Sequence, residues 1–264
     1  MRIYTGNIQT SPREGFKPTQ PMSLPSNKHL TDDPHLPCAD AATMRKARFW
    51  NRIARKYAAD PIADMAGYET TLQRTRGLLS TEHDVLEIGC GTGTTALHLA
   101  ASTRCFQATD ISAEMIAIAK EKLASQPNPK LSFALADADA PMSGSATYDR
   151  VLAFNILHLV SDLDKTLAMA AQALRPGGLF ISKTACIAEM NPLIRYVALP
   201  LMRLIGKAPL VVHCLNEAQL RAALTRQGLQ IVSVERHGTR KKDFRVFIVA
   251  SKPLATDPTQ ASTC

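Results

Sequence analysis

The 264-residue chain is poor in aromatic side chains, which make up 5% of it and include one tryptophan. Proteins that hold single-stranded nucleic acid stack bases on such rings, so the scarcity argues against an RNA partner. Its six cysteines (Cys38, Cys90, Cys105, Cys186, Cys214, Cys264) form no C-x-x-C pair and no His/Cys ligand spacing. They read as reduced thiols of a cytoplasmic protein, with no disulfide framework and no metal site. No long uncharged apolar run is available to span a bilayer. Met1 to Thr10 lacks the apolar core of a secretory signal, so none is expected. What is abundant is apolar residue, 45% of the chain, enough for one full α/β core. The excess of 31 Lys+Arg over 23 Asp+Glu, a net charge of +8, suits anionic partners but serves ordinary solubility equally.

The informative stretch runs from Val85 to Gly93 and reads Val-Leu-Glu-Ile-Gly-Cys-Gly-Thr-Gly. Val85 to Ile88 has the length and composition of a buried parallel strand. It breaks into three alternating glycines, and an apolar helix follows from Thr94 to Ala101. Strand, glycine turn and helix in this order make a nucleotide-binding turn at the carboxyl edge of an α/β sheet. A dinucleotide fingerprint places its third glycine five residues after the first. Gly89, Gly91 and Gly93 instead fall on every second residue, with Glu87 two residues ahead of them. This pattern resembles the first motif of the class I S-adenosylmethionine (SAM)-dependent methyltransferases. There the acidic residue and the G-x-G-x-G turn lie against the methionine end of SAM. The resemblance covers roughly Trp50 to Lys252 and points to the branch acting on small molecules of the ubiquinone/menaquinone type.

Further stations follow in order. Phe106 to Thr109 reads as a second strand ending in Asp110, about twenty residues past the first glycine, where a carboxylate reaches ribose hydroxyls. Ser112 is a natural N-cap for the next helix. By resemblance Met115 packs on adenine, and Ile111 belongs to the same site. Leu131 to Leu135 is a third strand, followed by Ala136-Asp137-Ala138. In the family such an Asp-Ala step holds adenine through its carboxylate and a backbone N–H, although Asp139 competes for the alignment. Val151 to Phe154 is a fourth strand, and Asn155-Ile156-Leu157-His158 resembles the Asn-x-x-His turn of enzymes that methylate small metabolites. Asn155 then faces SAM. His158 faces the acceptor as candidate general base, with His213 second, and a purely structural role is the other reading of His158. Ile156-Leu157 stands where amino-base methyltransferases carry two prolines. Arg175-Pro176-Gly177-Gly178 is expected to stop a helix that begins after Ser161-Asp162, and to turn the chain into the strand Leu179 to Lys183.

Residues 1–42, rich in proline and polar residues, are expected to be a disordered or loosely docked tail, as are residues 253–264. The methyltransferase domain is expected over residues 43–252. Within it, residues 43–80 form N-terminal lid helices, with Phe49, Ile53 and Tyr57 on one stripe and Arg45, Arg48, Arg52 and Arg55 on another. By resemblance Tyr57 closes over SAM, and packing within the lid is its alternative. Residues 188–212 form an apolar insertion expected as a lid over the acceptor. It suits a hydrophobic substrate, peripheral membrane contact, or a core helix or dimer interface.

The expected fold is a Rossmann-like seven-stranded methyltransferase sheet, mostly parallel with an antiparallel last strand and helices on both faces. The expected activity is methyl transfer from SAM to a small, hydrophobic acceptor. An RNA-directed methyltransferase using the helix arginines and Arg240-Lys241-Lys242, a nicotinamide-dependent oxidoreductase and a non-catalytic SAM-binding protein are the alternatives.

Overall fold

The computed structural model describes residues 41–140, 145–189, 192–204, 208–209, 211–239 and 245–254. The expected N-terminal tail thus falls outside the described residues apart from Ala41 and Ala42, which open a helix. The Arg240-Lys241-Lys242 loop and the C-terminal tail beyond Leu254 also lie outside them.

Two helices, α1 (Ala41–Ala59) and α2 (Met65–Arg76), precede the first strand, β1 (Asp84–Ile88). Then come α3 (Thr94–Leu99), β2 (Cys105–Asp110), α4 (Ala113–Ser125), β3 (Leu131–Leu135), β4 (Tyr148–Phe154), α5 (Leu163–Ala173) and β5 (Leu174–Ala185). After β5 lie α6 (Leu199–Leu204), α7 (Glu217–Arg226), β6 (Gln230–Arg236) and β7 (Arg245–Ser251). The strands form one seven-stranded sheet in the order β3-β2-β1-β4-β5-β7-β6. The pairs among β1 to β5 are parallel, while β7 runs antiparallel to both β5 and β6. This is the Rossmann-like sheet expected from the sequence.

Alternation along each strand divides the core between the two faces. Leu86, Ile88, Val151, Ala153 and Phe180 pack with Leu167 and Ala170 of α5 and Leu220 and Leu224 of α7. Val85, Phe106, Ala108, Leu152 and Phe247 pack with Ala96 and Leu99 of α3 and Ile116 and Ala119 of α4 on the other face. Sequence-assigned caps hold these helices: Ser112 Oγ accepts from Met115 N at the start of α4, and Asp162 from Lys165 N at the start of α5. At α7 the Asn216 and Gln219 side chains each accept from the other residue's backbone N–H.

Two local expectations need correction. α5 ends at Ala173, before Pro176, because Leu174 is already extended and pairs with Tyr148. Proline disfavours helical geometry in the residue ahead of it, so the chain enters β5 early and carries the Arg-Pro-Gly-Gly segment inside the strand. On α1 the most deeply buried position is Ala54, which packs with Trp50 and Ala58 against Met115 and Ile118 of α4. The expected Phe49–Ile53–Tyr57 stripe is thus displaced from the buried centre, and Tyr57 is 54% exposed. A small residue opposite two large ones lets the helices approach closely, which outweighs the apolar area of the neighbouring stripe.

Residues 194–204 are helical, and Leu193, Tyr196, Val197, Leu201, Met202 and Leu204 stand exposed along them. No helix among the described residues is long and apolar enough to cross a membrane.

Gly93 caps α3 with φ +74°, and a Cβ there would lie 2.6 Å from the Phe133 ring and 2.9 Å from the Ala119 methyl. Left-handed strain and a fixed clash combine in Gly93→Ala. Thermal unfolding should show a loss of about 1–3 kcal/mol, a fall in Tm of several degrees. An unchanged Tm would contradict this packing.

Candidate functional site

The strand order reverses between β1 and β4, and a cavity of about 830 Å³ opens at their carboxyl ends. This is the position at which open α/β sheets bind ligands. The volume lies in the upper part of the range found for small-molecule sites. Its lining includes Tyr57, Glu87, Gly89, Gly91, Asp110, Ile111, Met115, Asp137, Ala138, Asn155 and His158. Of the site residues anticipated from the sequence, Gly93 and His213 do not line the cavity, and Gly93 packs beneath the turn against Phe133 and Ala119.

The glycine turn is built around two carboxylates. Asp110 at the end of β2 accepts from Gly91 N through Oδ2 and from Ser112 N through Oδ1, each at 2.9 Å. It thereby fastens the turn to the start of α4. Burial raises its pKa against the pull of these N–H donors. Each carboxylate oxygen has two lone-pair directions, so these bonds leave Asp110 able to accept from a further donor. Glu87 is 2% exposed, and among the described residues its Oε2 has no hydrogen-bond partner. Burial first, then the charge of Asp110, push its pKa up to about 8. A buried carboxyl group with an open acceptor at a cavity wall is a costly arrangement that a cationic ligand would relieve.

The glycines serve different ends. At Gly89 a Cβ would strike the Ile156 side chain at 2.6 Å, so glycine lets the β1 and β4 turns touch. At Gly91 the nearest atom to a Cβ is Tyr57 Cε1 at 3.8 Å, which places the Tyr57 ring over the turn.

Asp137 and Asp139 separate clearly. Asp139 accepts from Ser161 N at 2.8 Å, Thr166 Oγ1 at 2.7 Å and Lys46 Nζ at 2.6 Å. Burial opposes its charge, but these bonds hold its pKa at about 2. It braces the start of α5 and does not line the cavity. Asp137 does line it, bonded to Lys46 Nζ at 2.8 Å and Thr43 Oγ1 at 3.2 Å. Sequence reasoning missed Lys46, whose ammonium clamps α1 across the mouth of the site. Asn51, which takes the Ser112 hydroxyl at 2.6 Å, was missed too.

On the opposite side Asn155 adopts φ +55° and accepts from Arg245 Nη1 at 2.8 Å. His158 lines the cavity, and its buried Nδ1 has no partner among the described residues. Burial, helped by the charges of Arg245 and His213, lowers its pKa to about 4. His213 is outside the lining, and its Nε2 lies 2.8 Å from Val160 O. Lys183 and Arg245 complete this wall, and neither had a signal in the linear sequence. None of the described residues of the 188–212 insertion lines the cavity. Among the described residues no group of three or more His, Cys, Asp or Glu side chains is arranged to hold a metal ion.

Residues 85–178 match a family described as a methyltransferase domain. The chain also has curated relatives and structural neighbours. It is 33% identical over 122 residues to a methyltransferase of Streptomyces halstedii, a match covering 45% of this chain and 44% of that protein. Among solved structures it resembles a SAM-dependent methyltransferase from Mesorhizobium loti at TM-score 0.57 and 20% identity, over 70% of this chain and 98% of the other. It also resembles the CurJ carbon methyltransferase at TM-score 0.52 and 26% identity, over 66% and 49% of the two chains. The chain spans less than half the length of the curated relatives it matches, which include polyketide synthases of which it covers only a few per cent.

A folded-state pKa of about 4 at His158 means that unfolding releases a more basic imidazole. Its contribution to stability is complete above pH 6.5 and is lost as pH falls from there towards 4. In a histidine NMR titration of the ligand-free protein, His158 should stay neutral down to about pH 5. A midpoint near 6.5 for His158 would contradict its burial.

Proposed function

We propose that the protein transfers the methyl group of SAM to a small molecule whose body is apolar, with His158 taking the acceptor's proton where the nucleophile carries one. The observation that carries this reading is the buried carboxyl of Glu87 at the wall of the glycine turn, whose Oε2 has no hydrogen-bond partner among the described residues. SAM supplies an activated methyl on a sulfonium and an amino acid end whose ammonium suits such a group. In this reading Asp110 receives the ribose hydroxyls, Asp137 and the Ala138 N–H hold adenine, and Ile111 and Met115 provide apolar walls. Tyr57 covers the turn, and Asn155, fixed by Arg245, faces the donor.

The chain's main task is alignment and exclusion of water, since the donor already carries its activation. Phe154, Ile156, Leu159 and Val160 give the acceptor side an apolar surface, which supports a hydrophobic body. The Asn-x-x-His turn at 155–158 supports a small metabolite. A neutral His158 is in the correct state to accept a proton, and negative charge developing on the acceptor beside it would strengthen it as a base.

Two measurements test the reading. At pH 7 Glu87 is mostly protonated in the ligand-free protein and ionises when a cation binds against it. SAM binding measured by calorimetry in buffers of different ionisation enthalpy should therefore release close to one proton. Glu87→Gln should abolish that release, and binding without proton release in the parent protein would refute the role. For catalysis, His158→Ala should lower kcat by about 10² to 10⁴ on an acceptor hydroxyl, with SAM affinity changed less than twofold. Turnover near that of the parent would remove His158 from the chemistry.

A further inference from the structure

Helix α1 carries six Lys and Arg residues and no acid. Its inner side is spoken for: Lys46, Trp50, Tyr57 and Ala58 line the cavity, and Trp50, Ala54 and Ala58 pack on α4. At about 3.6 residues per turn, Arg45, Arg48, Arg52, Arg55 and Lys56 fall on the opposite side, and all of them are exposed. Glu121 bonds Arg55 at 2.9 and 3.0 Å, Asp60 bonds Lys56 at 2.7 Å, and the charge of Glu114 also reaches Arg55. Arg52 lies over the Phe49 ring at 5.5 Å. Arg45 and Arg48 form no ion pair among the described residues. The outer face of α1 is therefore a basic stripe that local acids neutralise only at its carboxyl end.

This helix lies against the carboxyl edge of the sheet, where Thr43 and Lys46 bond Asp137 after β3 and Asn51 bonds Ser112 after β2. The same edge carries most of the large apolar side chains exposed among the described residues. Met44 stands on α1, Ile62 precedes α2, Met65 opens it, and Leu135 ends β3. Ile62 also lines the cavity, so its rim is apolar there. The excursion after β5 starts and returns at this edge, with Ala188 N on Leu215 O at 3.1 Å and His213 N on His158 O at 2.7 Å. It exposes Val197, Leu201, Met202 and Leu204, the last at 84%. Away from the edge, the exposed large apolar residues are Val232 and Leu254. Single exposed apolar residues are ordinary, but a gathering on one edge marks a contact surface.

We propose that this edge docks on a bilayer surface with anionic headgroups, the outer face of α1 against the headgroups and the apolar side chains of the edge in the acyl boundary. Charge complementarity names the occupant. Surface cations draw anionic headgroups, and aliphatic side chains beside them partition into the layer beneath. Single-stranded nucleic acid would meet the same cations but needs rings on which to stack its bases. The exposed large apolar residues of this edge are Leu, Val, Ile and Met apart from two tyrosines, which favours lipid. Docked in this way, the cavity rim at Ile62 meets the lipid, and an apolar ligand enters without crossing water. The docking stands whether or not the cavity transfers methyl groups.

Co-sedimentation of the full chain with vesicles tests the proposal. Vesicles of phosphatidylcholine alone are compared with an equal mixture of phosphatidylcholine and phosphatidylserine. Binding to the mixed vesicles should be about tenfold tighter or more, and should weaken as salt is added. Arg45→Gln combined with Arg48→Gln should weaken it about tenfold or more, since each surface cation contributes roughly fivefold. Leu201→Gln combined with Leu204→Gln should weaken it several-fold. Thermal unfolding of both double variants should match the parent, because all four side chains are exposed. Equal binding to the two kinds of vesicle, binding to neither, or unchanged binding in either double variant overturns the inference. A dimer in sedimentation velocity that Leu201→Gln with Leu204→Gln disperses assigns the apolar residues to a second copy. Tighter binding to single-stranded RNA than to the mixed vesicles assigns the arginines to nucleic acid. Either result overturns it as well.

Discussion

The divergence of two adjacent parallel strands is the constraint on which the site depends. β1 and β4 lie side by side, yet the helices that follow them pack on opposite faces of the sheet. Parallel strands require such crossovers, and where their direction changes no helix covers the strand ends. The crevice is therefore a product of connectivity before any side chain is considered. Gly89 then lets the two turns meet, with Ile156 occupying the space a Cβ would need. Asp110 fixes the remaining geometry by tying Gly91 and Ser112 to one carboxylate.

Onto that crevice the chain places more buried charge than stability alone would favour. Glu87 sits with an open oxygen among the described residues and a pKa of about 8, and Lys183 is nearly inaccessible, with its Nζ donating to Thr71 Oγ1 and Gly67 O. Each such group costs free energy in the empty protein, and a ligand of complementary charge recovers part of it. At His158 the charge of Arg245 reinforces the lowering of the pKa by burial.

Helix α1 closes one side of the site by a mixture of forces that a hydrophobic pattern does not display. Ala54 and Trp50 pack on Met115 and Ile118, Asn51 bonds Ser112, and Lys46 bridges Asp137 and Asp139. The face that binds is thus centred on an alanine and flanked by a lysine and an asparagine. The sequence stripe Phe49–Ile53–Tyr57 is more apolar but lies to one side, leaving Tyr57 poised over Gly91. Propensity and periodicity identify such a helix, while its docking angle follows from the partner's shape.

Much of this protein was legible in one dimension because the relevant physics is local. A β-branched run bounded by glycines makes β1, Ser112 and Asp162 cap the helices they precede, and the spacing from Gly89 to Asp110 spans one strand–helix–strand unit. These features anticipated the sheet and most of the residues that line the cavity. Other decisions belonged to the tertiary structure. Asp137 and Asp139 are chemically identical and two residues apart, and only packing makes one a cavity wall and the other a brace for α5. Lys46, Lys183 and Arg245 are separated by well over a hundred residues at the extremes, and no local pattern marks them. Strand register and helix docking bring them together, since side-chain proximity across a sheet is set by pairing and not by sequence distance.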